Sequence, residues 1–476
     1  MATTDTNTRT AETVAETSDR PGLVVWVVAS AYFMLNLDGT VIVTALPAMA
    51  AGFGVTEIDL SIGITAYMMA LAAFVPLGGW LAERYGSRRI LAGAILVFTL
   101  ASLACAVAPN VNLFVVARVI QGLGGALMFP VGRLLVLRNT PNSGMLRAIS
   151  AITWPALIAP VIGPVIGGVI VTYASWHWIF LLNLPIGIVG AALVLIAVPD
   201  DKGAERVRLD VLGLALSSSS LLLLIYALET FSHREGNWAL AAGVAFAGLA
   251  LGTAAIRHLK RTPAPLFGLG PVRDPVFSIT SLGSGNVLRT AINTAPFLLP
   301  LMFQLGFGLS PIDAGTLVLA YFAGNLAMKS ATSPILKRFG FRNVIVVNGA
   351  LGALALLAFA GLGTGTPLPL TLAVLFAGGL FRSMQFTALN TLGFVGIAAE
   401  ERASATTLWS MSQQISNCLG VALASLALSA SLALNGRTVP ETVDFRWAFA
   451  VIGVVGLVAV LRLARLPRDV GKDITG

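Results

Sequence analysis

One carboxylate stands apart by its surroundings: Asp38 lies in the stretch from Ala29 to Pro47, which is otherwise apolar enough to cross a bilayer. An ionisable group at that depth costs at least about 2.5 to 3.5 kcal/mol, so a chain keeps it only with a partner or a task. Arg118 is the candidate partner. Asp38 falls about 16 residues into an outward-running first helix and Arg118 about 7 residues into an inward-running fourth, so at about 1.5 Å per residue both occupy the outer half of the membrane core. A carboxylate beside a guanidinium is held ionised, and loosening that contact when the outer side opens would let it take a proton. Asp38 is therefore a candidate proton acceptor tuned by Arg118; the alternative is a static structural ion pair.

The other embedded charges are all positive. Arg133, Arg289, Lys329 and Arg382 fall in apolar stretches, whereas Glu57, Asp59, Glu229 and Asp313 fall at outer ends and Glu400 and Glu401 on the cytoplasmic side. Buried cations without carboxylates need a counter-charge. A bound organic anion would supply one, and a cationic drug would be repelled in a low-dielectric cavity. Arg289 and Arg382 are placed near the midplane, where secondary transporters hold substrate. Arg133 and Lys329 lie nearer the cytoplasmic ends and could snorkel, and helix-end carbonyls could hold Arg382. Among the polar and aromatic groups that could line a cavity with them are Tyr32, Asn36, Trp154, Asn293 and Gln385.

These residues must be positioned by membrane helices, because 56% hydrophobic and 11% charged residues in a chain of 476 exclude a soluble multidomain protein. Fourteen windows can span, each needing about 20 mostly apolar residues. They lie near 22–50, 58–81, 90–108, 111–137, 149–172, 178–198, 209–229, 238–257, 276–305, 311–336, 343–363, 368–396, 404–433 and 446–466. With both ends in the cytoplasm, 22 of the 30 Lys and Arg residues fall on the inner side and only Arg234, Arg437 and Arg446 on the outer side, as expected when positive loops stay inside. The net charge of +8 is then a topology signal and a contact for anionic lipid at the cytoplasmic face, not a nucleic-acid footprint.

Several chemistries are argued against. Cys105 and Cys418 fall within spans and read as small apolar residues; His177, His233 and His258 are scattered over loops on both sides, so no metal site is expected. The sequence around Lys329 lacks the glycine that a phosphate loop needs before its lysine, and no soluble region is long enough for an ATPase. No cofactor, nucleotide or enzymatic activity is expected. The polar tail ahead of Arg20 has no apolar core of a cleavable signal.

A repeat organises the spans. Gly79 and Glu83-Arg84-Tyr85-Gly86-Ser87-Arg88 close the second window, and Lys337-Arg338-Phe339-Gly340-Phe341-Arg342 follows the tenth in the same way. Two parallel six-helix halves would leave such a trace. The expected division is a cytoplasmic tail 1–21, an N-terminal half 22–198, a linker with two extra helices 199–260, a cytoplasmic loop 261–275, a C-terminal half 276–466 and a tail 467–476. Pro155, Pro160 and Pro164 remove helical donors from the fifth window, and Gly163, Gly167 and Gly168 give it a small-residue face.

With these motifs the chain resembles the major facilitator superfamily, specifically its 14-span drug:proton antiporter family, DHA2. Gly79 to Arg89 looks like the superfamily's motif A, with Glu83 where Asp is usual, and Arg118 to Ala126 is similar to motif B. Gly163-Pro164-Val165-Ile166-Gly167-Gly168 is similar to the antiporter motif C, although Ala159 stands where Gly is common. Leu37 to Pro47 looks like the first-helix motif, and Trp176 to Gly187 matches the entry into the sixth helix with His177 in place of Arg. Pro130 to Arg133 and Ala327 to Lys329 look closest to the MdtD branch. The resemblance implies an all-α membrane protein of two six-helix halves plus two extra transmembrane helices, located in the bacterial cytoplasmic (inner) membrane with both termini inside. It implies a proton-coupled efflux antiporter of the kind tied to drug resistance, a conformational role for Arg118, and gating roles for Gly79, Glu83, Arg84, Gly86, Arg88, Gly163, Pro164, Gly167 and Gly168. A broad pump for neutral or cationic lipophiles is the alternative, and a non-transporting sensor or scaffold the more distant one.

Overall fold

In the computed structural model the described residues are 20–139, 145–199, 209–232, 238–263, 265–398, 401–467 and 470. Most of both expected tails, residues 200–208 of the linker, His233, Arg234, Glu400 and the side chains of Glu83 and Glu229 lie outside this description.

An apolar chain in lipid must satisfy its backbone internally, and helices do so without a partner segment. The long helices are α1 (Arg20–Phe53), α2 (Glu57–Tyr85), α3 (Ser87–Ala106), α4 (Val111–Asn139), α5 (Met145–Tyr173), α6 (Asn183–Ala197), α7 (Val211–Ser232), α8 (Trp238–Arg261), α9 (Ser284–Asn293), α10 (Pro311–Phe339), α11 (Phe341–Ala360), α12 (Leu368–Gly393), α13 (Arg402–Asn435) and α14 (Thr442–Leu463). Among the described residues, eleven helices are long and apolar enough to cross a membrane, and α7 adds a shorter apolar stretch, Val211–Ala227.

Two windows are less regular than their hydropathy suggests. Ahead of α6, the turn Trp178–Leu181 is separate, because Pro185 has no N–H for the Leu181 carbonyl. The ninth window is a chain of short pieces: Pro275–Phe277, a π turn at Ser278–Leu282, α9, Ala295–Leu301 and a second π turn at Met302–Gly306. Gly283, at φ −90° and ψ −129°, interrupts it before α9, and Pro296 and Pro300 withhold donors after it.

Helices α1 to α6 pack on one another, as do α9 to α14. Gly86 (φ +92°) and Gly340 (φ +76°) each end a helix and begin the next in the left-handed half of backbone space that glycine alone enters freely. The same chain spacing separates Tyr67 from Tyr321, whose carbonyls face Gly122 and Gly379 respectively.

Among the described residues, the halves share an apolar core toward one end. Away from the Gly86/Gly340 end, a single apolar core takes Leu37 to Ala50, Phe114 and Phe180 from one half and Leu298, Phe303, Val318 and Phe449 from the other. Toward the Gly86/Gly340 end each half has its own core, around Tyr32, Phe98 and Val131 in one and Leu288, Ile345 and Leu392 in the other. Bonds across the shared end include Gln304 Nε2 to the Thr44 carbonyl at 3.0 Å and a Ser61–Ser425 hydroxyl pair at 3.2 Å. Helix α7 packs against both α2 and α13, one from each half, while α8 packs mainly on α7. Ser218 of α7 donates to the Ala73 carbonyl at 2.8 Å.

Candidate functional site

Asp38 and Arg118 meet inside the N-terminal half. Their Oδ2 and Nη1 atoms are 2.8 Å apart, with Asp38 4% and Arg118 0% exposed. Other groups of the same half complete the site. Gln121 Nε2 and Asn183 Nδ2 each donate to Asp38 Oδ1 at 2.9 Å. Both also donate to Ser102 Oγ, at 2.6 and 3.0 Å. The Gln121 oxygen accepts from Arg118 Nη1 at 2.5 Å and from the Cys105 thiol at 3.8 Å. Arg118 Nε donates to the Gly63 carbonyl at 3.3 Å, and its guanidinium carbon lies 4.1 Å from the centre of the Tyr67 ring.

Local sequence explains this convergence. Arg118 and Gln121 are one turn apart on α4, Ser102 and Cys105 one turn apart on α3, so each pair shares a helix face. Asn183 is placed by the break ahead of α6. A carboxylate with three side-chain donors is fixed in place, and changing its charge must rearrange bonds to two helices, α4 and α6. The sequence singled out Asp38 and Arg118 but not the supporting role of Gln121, Asn183, Ser102 or Cys105; polar residues at one-turn spacing on apolar helices were the available signal.

The candidate substrate residues separate into two groups. Arg289 is 0% exposed, and Gln385 and Asn293 are buried too. Gln385 accepts from Asn348 at 3.0 Å and Asn293 donates to Asn417 at 2.7 Å, both bonds inside the C-terminal half. Tyr32 is likewise buried, its hydroxyl donating to the Phe129 carbonyl at 2.6 Å. Arg133 and Trp154 are exposed, while Asn36, Lys329 and Arg382 are partly exposed. Asn36 donates to the Tyr32 carbonyl of its own helix at 2.8 Å. Lys329 donates to Thr387 at 3.0 Å and lies within electrostatic reach of Arg382. Arg382 stacks near Phe386 and Phe322, at 5.2 and 5.9 Å to the ring centres.

The small-residue face of α5 is at the contact between halves. Gly163 and Gly167 face Thr40 and the Val41 carbonyl of α1, and a Cβ at Gly168 would come within 2.5 Å of the Pro311 carbonyl at the start of α10. Gly315 of α10 abuts the Pro164 carbonyl in return. In the turn after α2, Arg84 lies over Trp80 and Tyr85, at 5.1 and 5.5 Å, and Arg88 donates to the Leu195 carbonyl. Near that turn a Cβ at Gly78 would meet Pro130 of α4 at 2.6 Å, a close helix approach, while Gly79 has open space beside it.

The comparisons agree with this architecture. The Major Facilitator Superfamily model matches residues 28–253 and 281–475. The chain is 35% identical over 469 residues to a "Putative multidrug resistance protein MdtD" of Salmonella typhimurium (strain LT2), covering 97% of this chain and 98% of that protein. The same values hold for the MdtD protein of Salmonella heidelberg. Among solved structures, an auto-inhibited POT family peptide transporter superposes with a TM-score of 0.70 at 14% identity, covering 94% of this chain and 97% of that one. The inward-open xylose transporter XylE from E. coli gives 0.63 at 13% identity, covering 94% and 97%. At those identities the structures speak for the fold alone. Sequence kinship over nearly the whole length, with the paired helical halves, makes this chain a member of the major facilitator superfamily, a multi-pass membrane transporter and not an enzyme.

Proposed function

We propose that the protein is a proton-coupled exporter that works by alternating access, with Asp38 as the proton carrier. The observation that carries this is the fully enclosed Asp38–Arg118 pair, with Gln121 and Asn183 donating to the same carboxylate. In this reading the chain crosses the membrane fourteen times with both termini inside, and the Gly86/Gly340 end faces the cytoplasm. The joined end is then extracellular, so this conformation opens inward. Opening outward requires parting α5 from α10 at Gly168 and Gly315, and α1, which carries Asp38, from the Gln304 bond. Water admitted there would loosen the Arg118 contact and protonate the carboxylate from outside. Closure and deprotonation toward the cytoplasm return the pair to the bonded state.

The substrate class is inferred from the cations in the spans that keep some exposure. Arg382, Lys329 and Arg133 are exposed or partly so, and among the described residues no carboxylate pairs with them. An amphipathic organic anion gains from them and a cation does not. The relatives' multidrug name favours the second reading, a pump for neutral or cationic lipophiles. Anionic lipid contacts the cytoplasmic loops in either case.

The test is uptake into inside-out vesicles with an acid interior, comparing a labelled tricarboxylate with a labelled lipophilic cation. Anion uptake that stops when the gradient collapses, and that is lost in Asp38→Asn and weakened about ten-fold in Arg382→Ala, is the expected result. Uptake of the cation alone, unchanged by Arg382→Ala, would make the embedded cations structural. Gradient-driven uptake that survives Asp38→Asn would remove Asp38 as the carrier.

A further inference from the structure

Among the described residues, Arg289 has no acid partner. Its Nη2 donates to the Thr280 carbonyl at 3.3 Å, while Nε and Nη1 have no acceptor. Yet the residue is 0% exposed, and the guanidinium carbon lies 4.0 Å from the centre of the Trp409 ring and 5.9 Å from that of Phe386. Arg382 shares the Phe386 ring at 5.2 Å, adding positive potential to the same region.

The described acids of this half are committed elsewhere or peripheral. Asp274 accepts the Phe277 N–H at 2.7 Å, Asp313 pairs with Ser310, and Glu441 with Arg437 at 3.5 Å. Asp444 is held by Ser431, Arg437 and the Glu441 N–H, at 2.7, 3.3 and 2.9 Å. Glu401 lies against Gly270, in the connection before Pro275.

Hydroxyl donors gather beside the cation. Ser281 and Thr290, each next in sequence to a residue of the Arg289–Thr280 bond, carry buried hydroxyls without a partner. Ser281 and Trp409 converge on Gly393, where a Cβ would be 3.2 Å from Ser281 Oγ and 3.7 Å from Trp409 Cζ3. A buried cation with two nitrogens lacking any acceptor is costly unless an opposite charge reaches it. An enclosed site with free N–H and O–H donors suits a small, weakly hydrated anion.

We propose that the Arg289–Trp409–Ser281 box binds a small inorganic anion of halide size within the C-terminal half, separately from proton carriage at Asp38. The ion neutralises Arg289 and ties the broken ninth segment to α12 and α13. Its occupancy is read without transport, so its failure and that of the proton-coupling reading are distinguishable.

The full-length protein, purified in detergent with gluconate as the sole anion, is titrated with bromide and iodide at constant ionic strength. Expected results are a saturable rise in Tm of about 2 °C or more and saturable quenching of tryptophan fluorescence by iodide. Trp409→Phe should remove the saturable quenching, Arg289→Gln both signals, and Ser281→Ala should raise the half-saturating concentration about ten-fold. If Arg289→Gln fails to fold, the wild-type titration and the two milder variants decide. An equal Tm in gluconate and bromide, or quenching that never saturates, overturns the proposal. Stoichiometric displacement of bromide by a transported organic anion would overturn it as well, by making the box the end of the substrate path.

Discussion

Two arginines of equal burial sit in the two halves of this molecule, and their surroundings are opposite. Arg118 reaches a carboxylate at 2.8 Å, with Gln121, Asn183 and Ser102 tying that carboxylate to α3, α4 and α6. Arg289 reaches one backbone carbonyl and two aromatic faces. At the positions the repeat sets against the N-terminal site, the C-terminal half is apolar: Phe449 matches Phe180 and Leu375 falls where Arg118 would be, both fully buried. A shared backbone plan therefore carries a compensated charge in one half and an uncompensated one in the other. In the proposed reading, titration operates the first without breaking the second, which divides proton handling and anion handling between the halves.

The largest effect should come from breaking the compensated pair. Asp38→Asn should reduce gradient-driven transport by about 100-fold or more and destabilise the protein by about 3 to 5 kcal/mol, because it leaves Arg118 charged and buried alone. Arg118→Met on top of Asp38→Asn should recover much of that stability and none of the transport. A double-mutant cycle in thermal unfolding measures the coupling; additive losses would show that the two residues do not act as a pair.

The next effect tests the join between the halves. At Gly168 a Cβ meets backbone atoms, the Pro311 carbonyl at 2.5 Å and Ile312 Cα at 2.7 Å, which cannot swing aside as a flexible side chain would. Gly168→Val should hold this end apart. Labelling of a cysteine introduced at Gln304 by a membrane-impermeant reagent should rise several-fold and transport should fall. Unchanged labelling with normal transport would remove α5 from the gate.

Arg289→Met sharpens the contrast more gently. Replacing a buried, unpaired cation by an apolar side chain of similar length should leave stability in gluconate unchanged or raise it by about 1 kcal/mol. Arg118→Met alone should lower it, since it abandons a carboxylate. Equal losses from the two substitutions in gluconate would show that Arg289 is satisfied by the protein itself.

Much of the N-terminal site was legible because charge in an apolar stretch is rare and helical rise places it by depth: Asp38 and Arg118 were matched from residue counts alone. The motif turns were legible because Gly86 and Gly340 must take a backbone that other residues avoid. Side-chain direction was not. Arg289 and Arg382 look alike at similar depth in sequence, yet one points into its own bundle and the other is partly exposed, a difference set by the break at Gly283 and the π turn before it. Gln385 and Asn293 read as cavity polar groups, but a buried amide bonds equally well to a neighbouring helix, and both do so here. The place of α7 against α2 and α13 was hidden because its contacts are largely apolar, made by Leu221 and Ile225 against Ala72 and Cys418, and its Ser218 bond to α2 ends on a backbone carbonyl.

The smallest effect concerns the inserted pair, which carries a polar clasp just outside its spans. Asp210, just ahead of α7, accepts from the Gly213 N–H at 2.8 Å and the Leu266 N–H at 3.3 Å, and meets His258 Nε2 of α8 at 2.7 Å. Burial pushes its carboxyl up, but the Gly213 N–H, His258 and the Leu266 N–H together outweigh it and hold the carboxyl below the ordinary aspartate value. A depressed value means that the folded state prefers the ionised form. The clasp's stabilisation is therefore complete above the ordinary aspartate value of about 3.9 and is lost as pH falls through the lower folded value. Asp210→Asn should lower Tm slightly at neutral pH and not at all in the most acid range where the wild type still folds. Transport should stay near wild type, because α7 keeps its apolar contacts with both halves. A transport loss as large as that of Asp38→Asn would mean that the inserted pair works with the N-terminal site instead of lying beside it.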